Sequence, residues 1–569
     1  MLERKSRLVN KAFNQYFWAS VLTVAATQIA GIVDAAIVGN LIGADGLAAV
    51  NLSKPLLQAF FAVSCLYVPS CTILAGMAIG RGDRKAADKL FSISLEISLL
   101  LGVVFTVAGI LFFGPISGLL CKSDTLRPLS DDFMQVTLLS PIPQLLMLNL
   151  HQFVSTDGEP KMVTRAVIIG QMVNILLDIV FIKVFSWGIR GAALATCIMY
   201  VISIIMVLPH FRKKNTLRIR PAMPREVEIG KVFSIGLPLF FSTVLLSVQY
   251  IGNNFVASKY LGDDGLVALA VCIQLLSFSM IILTGTLRTI QPVGSILKGL
   301  GDSKGLLLLM KRGYSIMIAS FAVLAAIIIL FPVQIGSMLG VSSASGLEMV
   351  RKALPLFSLN IVFQGLIYTL LPSFQLYDRK ELSLVMSVLQ SLLPMVFFLL
   401  LRGSWIGFFT GQAVVAAVVL VWGMVLRHKD SSLSRILLIP IKDDTEVLDI
   451  SMDISTASLS EAVTALRSFL SSNGKDSHAV NVAAICTEEF AGNIIRHGNA
   501  TSIDLAATVN GDTISISIHD DGMAFNPVEA VKSSDSRIGL GLIIAKAFCK
   551  DLDYKYLFNQ NMLKISIVQ

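Results

Sequence analysis

Three polar side chains near the C-terminal end of the sequence recur every four residues. They are Glu489, Asn493 and His497. In a helix this spacing places all three on one face. A carboxylate and an amide on such a face can orient a hydroxyl and hold Mg²⁺ beside phosphates. The spacing therefore predicts a phosphate-handling site on a helix over residues 480–497, although His497 could equally be structural.

Two glycine-containing turns follow this helix in the sequence and could complete a nucleotide site. Asp520 and Gly522 come directly after a predicted strand, where the acid can accept a hydrogen bond from an adenine amine and the glycine permits close backbone approach. Gly539 and Gly541 open a predicted helix, and free amides at a helix start bind phosphate. Each cluster alone is a weak signal, but their order and spacing together predict an ATP site.

The residues around these motifs have the length and patterning of one domain. Helical periodicity and strand alternation are both present. Helices are predicted at 459–470, 480–497 and 540–548, and strands at 502–509, 513–519, 554–557 and 563–568. We expect an α+β sandwich over 449–569, with helices on one face of a sheet, after a linker at 430–448.

This domain resembles the GHKL nucleotide-binding fold. It is most similar to the anti-sigma-factor serine kinases, because the acidic turn is followed directly by Phe525-Asn-Pro-Val-Glu529. The resemblance implies ATP and Mg²⁺ as cofactors and leaves open whether the domain phosphorylates a protein, hydrolyses ATP or only senses it. The roles that it implies are catalytic base for Glu489, Mg²⁺ ligand for Asn493, adenine contact for Asp520, and nucleotide and lid contacts for Gly522, Gly539 and Gly541.

The composition of the chain indicates a membrane protein. Of 569 residues, 54% are hydrophobic and only 15% are charged, which excludes an ordinary cytosolic enzyme and a disordered chain. Residues 1–429 contain 35 Lys/Arg and 20 Asp/Glu, whereas residues 430–569 contain 11 and 18. The basic excess lies beside apolar segments, as in proteins whose spans are oriented by charge. We therefore expect the lipid bilayer, and no nucleic acid, as a partner.

Twelve segments of residues 1–429 are long and apolar enough to cross a bilayer. They are predicted at 17–38, 52–79, 90–113, 133–153, 163–184, 191–208, 233–257, 266–290, 314–335, 354–371, 382–401 and 405–425. Lys and Arg are concentrated in the connections on the side of the N-terminus, most densely at 212–231. This bias predicts a multi-pass protein of the cell membrane with both termini and the C-terminal domain in the cytoplasm.

An internal repeat divides the membrane part in two. Residues 43–50 recur as 262–269, at an offset of 219, and Trp187 has a counterpart in Trp405 at nearly the same offset. Such a duplication is typical of transporters built from two bundles around a shared cavity. We expect two six-helix lobes at 11–209 and 231–426.

Ionisable side chains at membrane depth are costly and are therefore candidates for function. Asp34 lies in the first span, and Asp178 lies in the fifth, one turn after Asn174. Asp34 could instead cap a helix, and Asp178 with Asn174 could be a structural pair. Glu96 in the third span could face a water-filled vestibule. At the repeat offset Asp34 becomes Asn253, so the C-terminal lobe has no equivalent carboxylate.

The membrane part resembles the MATE (multidrug and toxic compound extrusion) family. The residues that carry the resemblance are Val33-Asp34-Ala-Ala-Ile-Val-Gly39, Asp157-Gly-Glu-Pro-Lys161, Asn174-Ile-Leu-Leu-Asp178 and Trp187-Gly-Ile-Arg-Gly-Ala-Ala-Leu-Ala-Thr196. Membership would imply antiport driven by H⁺ or Na⁺ and export of small organic, cationic compounds. The matching positions for the coupling cation are Asp34, Asn174, Asp178 and Thr196.

Taken together, these features predict a cation-coupled exporter with a cytoplasmic ATP-binding domain that regulates transport or phosphorylates a partner protein on serine. The C-terminal domain has no Gly-x-x-x-x-Gly-Lys motif, so an ATP-driven motor of that type is not expected. One alternative is a signalling protein in which the membrane part binds a ligand and controls a serine kinase. Another is a flippase for an amphipathic or lipid-linked substrate.

Overall fold

The computed structural model describes residues 4–121, 123, 125–213, 216–220, 226–434, 436–440, 447–527 and 547–568. Within it the chain divides into two compact units. The larger comprises Tyr16–Asp302 and Met310–Ile439, and the smaller comprises Met1–Gln15, Ser303–Leu309 and Pro440–Gln569. Gly539, Gly541 and most of the helix predicted at 540–548 lie outside the described residues.

The described part of the larger unit is helical. Helices α1 and α10 begin in the smaller unit and continue into the larger one. The helices are α1 Arg7–Leu41, α2 Ala44–Arg81, α3 Arg84–Leu111, α4 Phe113–Leu120, α5 Arg127–Thr137, α6 Pro141–Thr156, α7 Pro160–Ile179, α8 Gly188–Val207, α9 Ile229–Leu300, α10 Ser303–Leu330, α11 Pro332–Met338, α12 Ala344–Tyr368, α13 Leu371–Leu376, α14 Lys380–Leu400 and α15 Ile406–Lys429.

Among the described residues, 10 helices are long and apolar enough to cross a membrane, or 11 if one bent pair counts as a span. The 72 residues of α9 exceed what one span needs, and the helix is interrupted at Gly262, whose φ of 66° is outside the helical region. Treating α9 as two spans agrees with the spans predicted at 233–257 and 266–290. The total of twelve stays a prediction.

The fourth predicted span is bent. Instead of one helix over 133–153, α5 and α6 meet at an angle of 53°. Pro141 and Pro143 explain the break, because a proline disfavours helical backbone at the preceding residue and removes a backbone donor. A proline has the same effect at the end of α10, where the predicted 314–335 divides before Pro332.

The internal repeat is visible in the backbone. Gly43 and Gly262, which are repeat partners, both have positive φ values of 103° and 66° at a helix break. Gly82 and Gly301 are 219 residues apart and end α2 and α9 in the left-handed conformation. Glycine is needed at such positions because a Cβ atom disfavours positive φ.

Helices α2 and α9 cross where repeat-related small residues meet. A Cβ atom on Gly80 would lie 2.8 Å from the Cα atom of Gly299, and one on Gly299 would lie 2.9 Å from the Cα atom of Gly80. One turn earlier, Gly76 faces Ser295. This small-xxx-small spacing lets two membrane helices approach backbone to backbone. The two lobes therefore share a contact at equivalent positions of the repeat.

The smaller unit contains the predicted α+β sandwich. Its elements are β1 Val447–Met452, α16 Thr456–Ser472, α17 Ser477–His497, β2 Ile503–Asn510, β3 Thr513–Asp520, β4 Asp551–Leu557 and β5 Gln560–Val568. The strands form an antiparallel sheet in the order β1-β2-β3-β5-β4. Apolar residues from one sheet face and from α16 and α17 form a common core. Strand β1 was not among the predicted elements.

The opposite face of this sheet contacts residues from the beginning of the chain. The Arg4 guanidinium lies 3.3 Å from carboxylate oxygens of both Asp449 and Asp504, and all three side chains are buried. The Lys5 amide donates to the Ser451 hydroxyl at 2.8 Å, and the Gln560 side chain donates to the carbonyl of residue 8 at 2.8 Å. The polar positions of β1 are thus buried against a segment distant in sequence.

Candidate functional sites

The carboxyl groups of Asp34 and Asp178 interact with each other inside the larger unit. Asp178 is fully buried, and neither of its carboxyl oxygens has a hydrogen-bond partner in the described part of the chain. Asp34 is half-buried on α1. Two carboxylates cannot both stay ionised in a poorly solvated place without a cation, so the pair is suited to bind H⁺ or Na⁺.

Two other predicted cation-site residues lie on the helices that carry or flank Asp178. Asn174 is buried one turn before Asp178, and its side-chain nitrogen has no hydrogen-bond partner among the described residues. The Thr196 hydroxyl donates to the Ala192 carbonyl at 3.2 Å on α8, which packs against α7. Immediately after Asp178, the backbone widens into a π-helical turn at Val180–Val184. Such turns frequently occur at functional sites.

Glu96 is exposed in α3 and has no hydrogen bond or ion pair in the described part of the chain. Asp157, which belongs to a motif that carries the family resemblance but was not predicted as a site residue, is buried and fully satisfied. It accepts from Arg84 at 2.8 Å and from the Leu217 amide at 3.0 Å, and it lies 2.9 Å from His210. These contacts give Asp157 a structural role.

A cavity of about 310 Å³ lies between residues of both lobes of the larger unit. Its wall combines apolar side chains with neutral polar ones such as Thr23, Gln58 and Gln364. The predicted cation-site residues are not part of this wall. Arg288 is part of the wall, although it was not predicted as a site residue. Its signal was available, since a lone arginine stands inside the apolar segment 266–290.

In the smaller unit, Glu489, Asn493 and His497 lie on α17 as predicted. Glu489 and Asn493 are half-buried one turn apart, whereas His497 is exposed at the helix end. The Asn493 side-chain oxygen accepts from Arg496 at 3.3 Å. The base and the metal ligand implied by the resemblance therefore share one helix face.

Asp520 is buried at the end of β3, where two donors hold its carboxylate. The Gly522 amide donates at 2.8 Å, and the Asn561 side-chain amide donates at 2.9 Å. Burial raises the pKa of Asp520 more than these two hydrogen bonds lower it. A fixed carboxylate with spare acceptor capacity can take a hydrogen bond from an amine.

Gly522 joins the acidic turn to the end of α17. The Met523 amide donates to the Gly498 carbonyl at 2.8 Å. A Cβ atom at Gly522 would lie 2.9 Å from the Asp520 carboxylate and collide with the Gly498 carbonyl. Glycine is therefore required here for close approach, and this contact brings Asp520 to the helix that carries Glu489.

Asn561 organises the acidic turn, although it was not among the site residues predicted from the sequence. Its side-chain nitrogen donates to the Met523 carbonyl at 3.0 Å, and its oxygen accepts from the Phe525 amide at 3.2 Å and from the Tyr554 hydroxyl at 2.6 Å. Only the register of β3 on β5, which pairs Asp520 with Asn561, brings these groups together.

The neighbouring acid, Asp521, is held ionised. Burial by itself would raise its pKa, but hydrogen bonds from Thr501 and Lys11 outweigh that effect and lower the pKa to about 2. The Thr501 amide donates at 2.7 Å and the Lys11 ammonium lies 2.9 Å away. Asp521 thus links the turn to Thr501 and Lys11.

These residues fit the adenine end of a nucleotide. The space at Gly522, which a Cβ atom would fill, leaves room for close approach of the base, and the buried Asp520 carboxylate can accept a hydrogen bond from the adenine amine. For Mg²⁺ the chain supplies one amide oxygen, from Asn493, and no group of three or more metal-binding side chains is present among the described residues. Such a donor set suits Mg²⁺ held mainly by phosphates and water.

Comparison with known proteins supports both parts. The MatE family model matches residues 19–180 and again 238–400, which together make up more than half of the chain. The two matches reproduce the repeat offset. The Histidine kinase-like ATPase domain model matches residues 453–567.

Relatives among characterised proteins include the Multidrug export protein MepA of Staphylococcus aureus (strain bovine RF122 / ET3-1), 20% identical over 78% of this chain and 96% of that protein. The protein of the same name from Staphylococcus haemolyticus is 25% identical over 47% of this chain and 59% of that protein.

Solved structures share the fold. A MOP superfamily transporter from Pyrococcus furiosus, whose structure is described as having a binding pocket of reverse polarity, matches with a TM-score of 0.66 at 22% identity, over 75% of this chain and 98% of that one. A mutant of the Vibrio cholerae MATE transporter VcmN matches with a TM-score of 0.68 at 18% identity, over the same shares of both chains. The chain is a multi-pass membrane protein that belongs to the MatE family and carries a histidine kinase-like ATPase domain at its C-terminal end.

Proposed function

We propose that the protein is a cation-coupled antiporter that exports small organic compounds and is regulated through its ATP-binding domain. The relatives named as multidrug export proteins support export, and the domain match supports nucleotide binding. We further propose that both termini and the ATPase-like domain are cytoplasmic, as the Lys/Arg bias predicts.

The observation that carries the proposal is the pairing of the half-buried Asp34 with the buried Asp178, whose two carboxyl oxygens lack a hydrogen-bond partner among the described residues. H⁺ or Na⁺ would neutralise the pair and favour one packing of α1. Loss of the cation restores two repelling charges and favours another packing. If the substrate binds better to the second state, cation entry and substrate exit become linked. Asn174 and Thr196 would complete the cation site.

The expected positive charge of the substrate has no support from the cavity, because no Asp or Glu is among the described residues of its wall. The proposed substrate is therefore a small organic compound of unspecified charge.

In the smaller unit, Asp520 would orient adenine and Asn493 would share Mg²⁺ with the phosphates. Bound Mg-ATP would supply a transferable phosphoryl group, and Glu489 would accept the proton of a hydroxyl brought to it. Gly522 would contact the nucleotide, whereas Gly539 and Gly541, for which the resemblance implies nucleotide and lid contacts, lie outside the described residues. A serine of a partner protein is the expected acceptor if the domain is a kinase.

The experiment is transport by the full-length protein in proteoliposomes without ATP, driven by an imposed pH or Na⁺ gradient. A panel of anionic, neutral and cationic fluorescent organic compounds serves as substrate. Asp34→Asn and Asp178→Asn should abolish uphill transport, and Asp263→Asn, an exposed acid of the other lobe, should not. Gradient-driven transport that persists in both pair variants would contradict the proposal.

A second candidate function is a membrane receptor that controls a serine kinase. The shared helix face of Glu489 and Asn493 favours it, because a domain that only senses ATP does not need a base. Transfer of labelled phosphate to a protein, without gradient-driven flux of any compound, would support this alternative. A flippase acting on a lipid-linked substrate is a third candidate, and lipid movement in the same vesicles tests it.

A further inference from the structure

The cavity between the lobes has a charge that the coupling mechanism does not use. Arg288 is a wall residue on α9, inside the apolar segment predicted as a span. An arginine guanidinium stays protonated in proteins, so its charge cannot be removed by losing a proton. No hydrogen bond or ion pair of Arg288 exists among the described residues, and none of those lining the cavity is an Asp or Glu.

A second polar group of the wall also lacks a partner. His151 is nine-tenths buried, and its Nε2 atom has no hydrogen-bond partner in the described part of the chain. His151 and Cys65 line the same cavity as Arg288. The cavity thus contains one permanent positive charge and an adjacent unsatisfied imidazole nitrogen.

The remaining wall sets the size and polarity of a ligand. A volume of about 310 Å³ is at the lower end of the range for small-molecule sites. Phe61, Leu239 and Met280 offer apolar contacts, and Gln58 and Gln364 offer neutral hydrogen bonds. A compound with an apolar body and one polar group fits such a wall.

We propose that this cavity binds organic anions: compounds with an apolar body and a carboxylate, phosphate or sulfonate group that pairs with Arg288. The inference rests on the proposed transport function and specifies its substrate class. Arg288 is half-buried in the cavity wall. An unpaired charge in such a poorly solvated place is costly, and an anion that forms two parallel hydrogen bonds with the guanidinium removes that cost. An organic cation would instead meet a like charge with no acid in the described wall to offset it.

The coupling pair, Asp34 and Asp178, is acidic, whereas the cavity contains the positive charge of Arg288, and the two lie at different places. Asp34 and Asp178 do not line the cavity, so a bound anion does not compete with the coupling cation for the same side chains. This inference replaces the expectation of a cationic substrate that came from family resemblance.

The test uses three ligands of one shape: 2-naphthoate, 2-naphthamide and 2-naphthylmethylammonium. Their affinities for the full-length protein in neutral detergent are measured by equilibrium dialysis. The naphthoate should bind at least about tenfold more tightly than the other two. Because equilibrium binding needs no ion gradient, its result is independent of whether Asp34 and Asp178 couple transport.

Arg288→Gln should abolish the preference for naphthoate, and Arg288→Lys, which keeps the charge, should retain part of it. Arg351→Gln is the matched control, because Arg351 is exposed and does not line the cavity. Equal or tighter binding of the ammonium compound by the native protein would overturn the inference even if no variant folds. An unchanged preference in folded Arg288→Gln protein would also overturn it.

Two sources could provide such an anion, a soluble compound or an anionic lipid. Repeating the naphthoate titration in nanodiscs of phosphatidylcholine with and without phosphatidylglycerol distinguishes them. Displacement of naphthoate by phosphatidylglycerol in the native protein identifies a lipid headgroup as the anion, and no displacement identifies a soluble anion.

Discussion

Asp520 is the residue on which the nucleotide site of the smaller unit depends most directly. Replacing it by Asn preserves its shape but replaces one acceptor oxygen by a donor, which would face an adenine amine. We expect Asp520→Asn to weaken Mg-ATP binding to the full-length protein at least about tenfold, the usual consequence of one unpaired buried polar group. Titration with a fluorescent ATP analogue measures it. Asp512→Asn, in an exposed turn, is the control, and equal weakening in both would contradict the role of Asp520.

The pH dependence of this site follows from the same carboxyl group. Because burial raises the pKa of Asp520, the carboxylate takes up a proton at a higher pH than an ordinary aspartate. ATP affinity should therefore decline as the pH falls toward that raised pKa, and the decline should be absent in Asp520→Asn. Asp521 cannot cause it, because its pKa is about 2. An identical pH profile in the native protein and Asp520→Asn would refute this explanation.

At the scale of elements, strand β1 shows what sequence patterning could not predict. Leu448, Ile450 and Met452 alternate as a strand should, but no strand was predicted here, where the expected linker at 430–448 meets the domain expected at 449–569. The polar groups of Asp449 and Ser451 are satisfied by residues at the beginning of the chain, more than 440 positions away. Local periodicity contains no information about such a distant contact. The helices and strands predicted within the described region at 459–497 and 502–519 agree with α16, α17, β2 and β3, because their own apolar faces form the core.

The contact of Arg4 with β1 gives a stability prediction. Arg4→Met leaves two buried carboxylates, Asp449 and Asp504, without their cation, which typically costs about 3 kcal/mol. Amide hydrogen exchange in β1 should accelerate on the order of a hundredfold if it occurs by local opening. Arg7→Met, whose partner Asp453 is exposed, should leave exchange unchanged. Equal exchange rates in the two variants would show that burial of the Arg4 pairs contributes nothing.

The crossing of α2 and α9 gives a second prediction at this scale. Gly80→Ala forces apart backbones that approach within the space of a Cβ atom, and overpacking of this kind costs about 1–3 kcal/mol. The melting temperature of the purified protein should fall. Gly31→Ala is the matched control, because a Cβ atom there meets nothing within 4 Å and alanine favours the helix. A melting temperature that is unchanged by Gly80→Ala would exclude a tight crossing.

For the candidate sites, individual residues could be selected from the sequence, but the contacts around them could not. Asp34 and Asp178 could be selected because carboxylates are rare in apolar spans, and the structure brings them together although they are far apart in the sequence. Asn561 could not be selected, since its importance comes from strand register alone. Arg288 could have been selected as a lone arginine in an apolar segment, but only the three-dimensional structure shows that it lines a cavity whose described wall contains no acid.

At the scale of the whole molecule, α1 carries groups from both proposed activities. Lys11, near its beginning, contacts Asp521 of the ATPase-like domain, and Asp34 lies toward its end.

The proposed transport depends on exchange of a cation for substrate at the Asp34–Asp178 pair. The most direct measurement is cation movement driven by substrate: proteoliposomes containing the full-length protein are loaded with a transported compound, and entry of H⁺ or ²²Na⁺ is followed when that compound is diluted outside. We predict cation entry in the native protein and in Asp263→Asn, and none above empty vesicles in Asp34→Asn or Asp178→Asn. Cation entry that continues in both pair variants, while the compound still leaves the vesicles, would contradict the account.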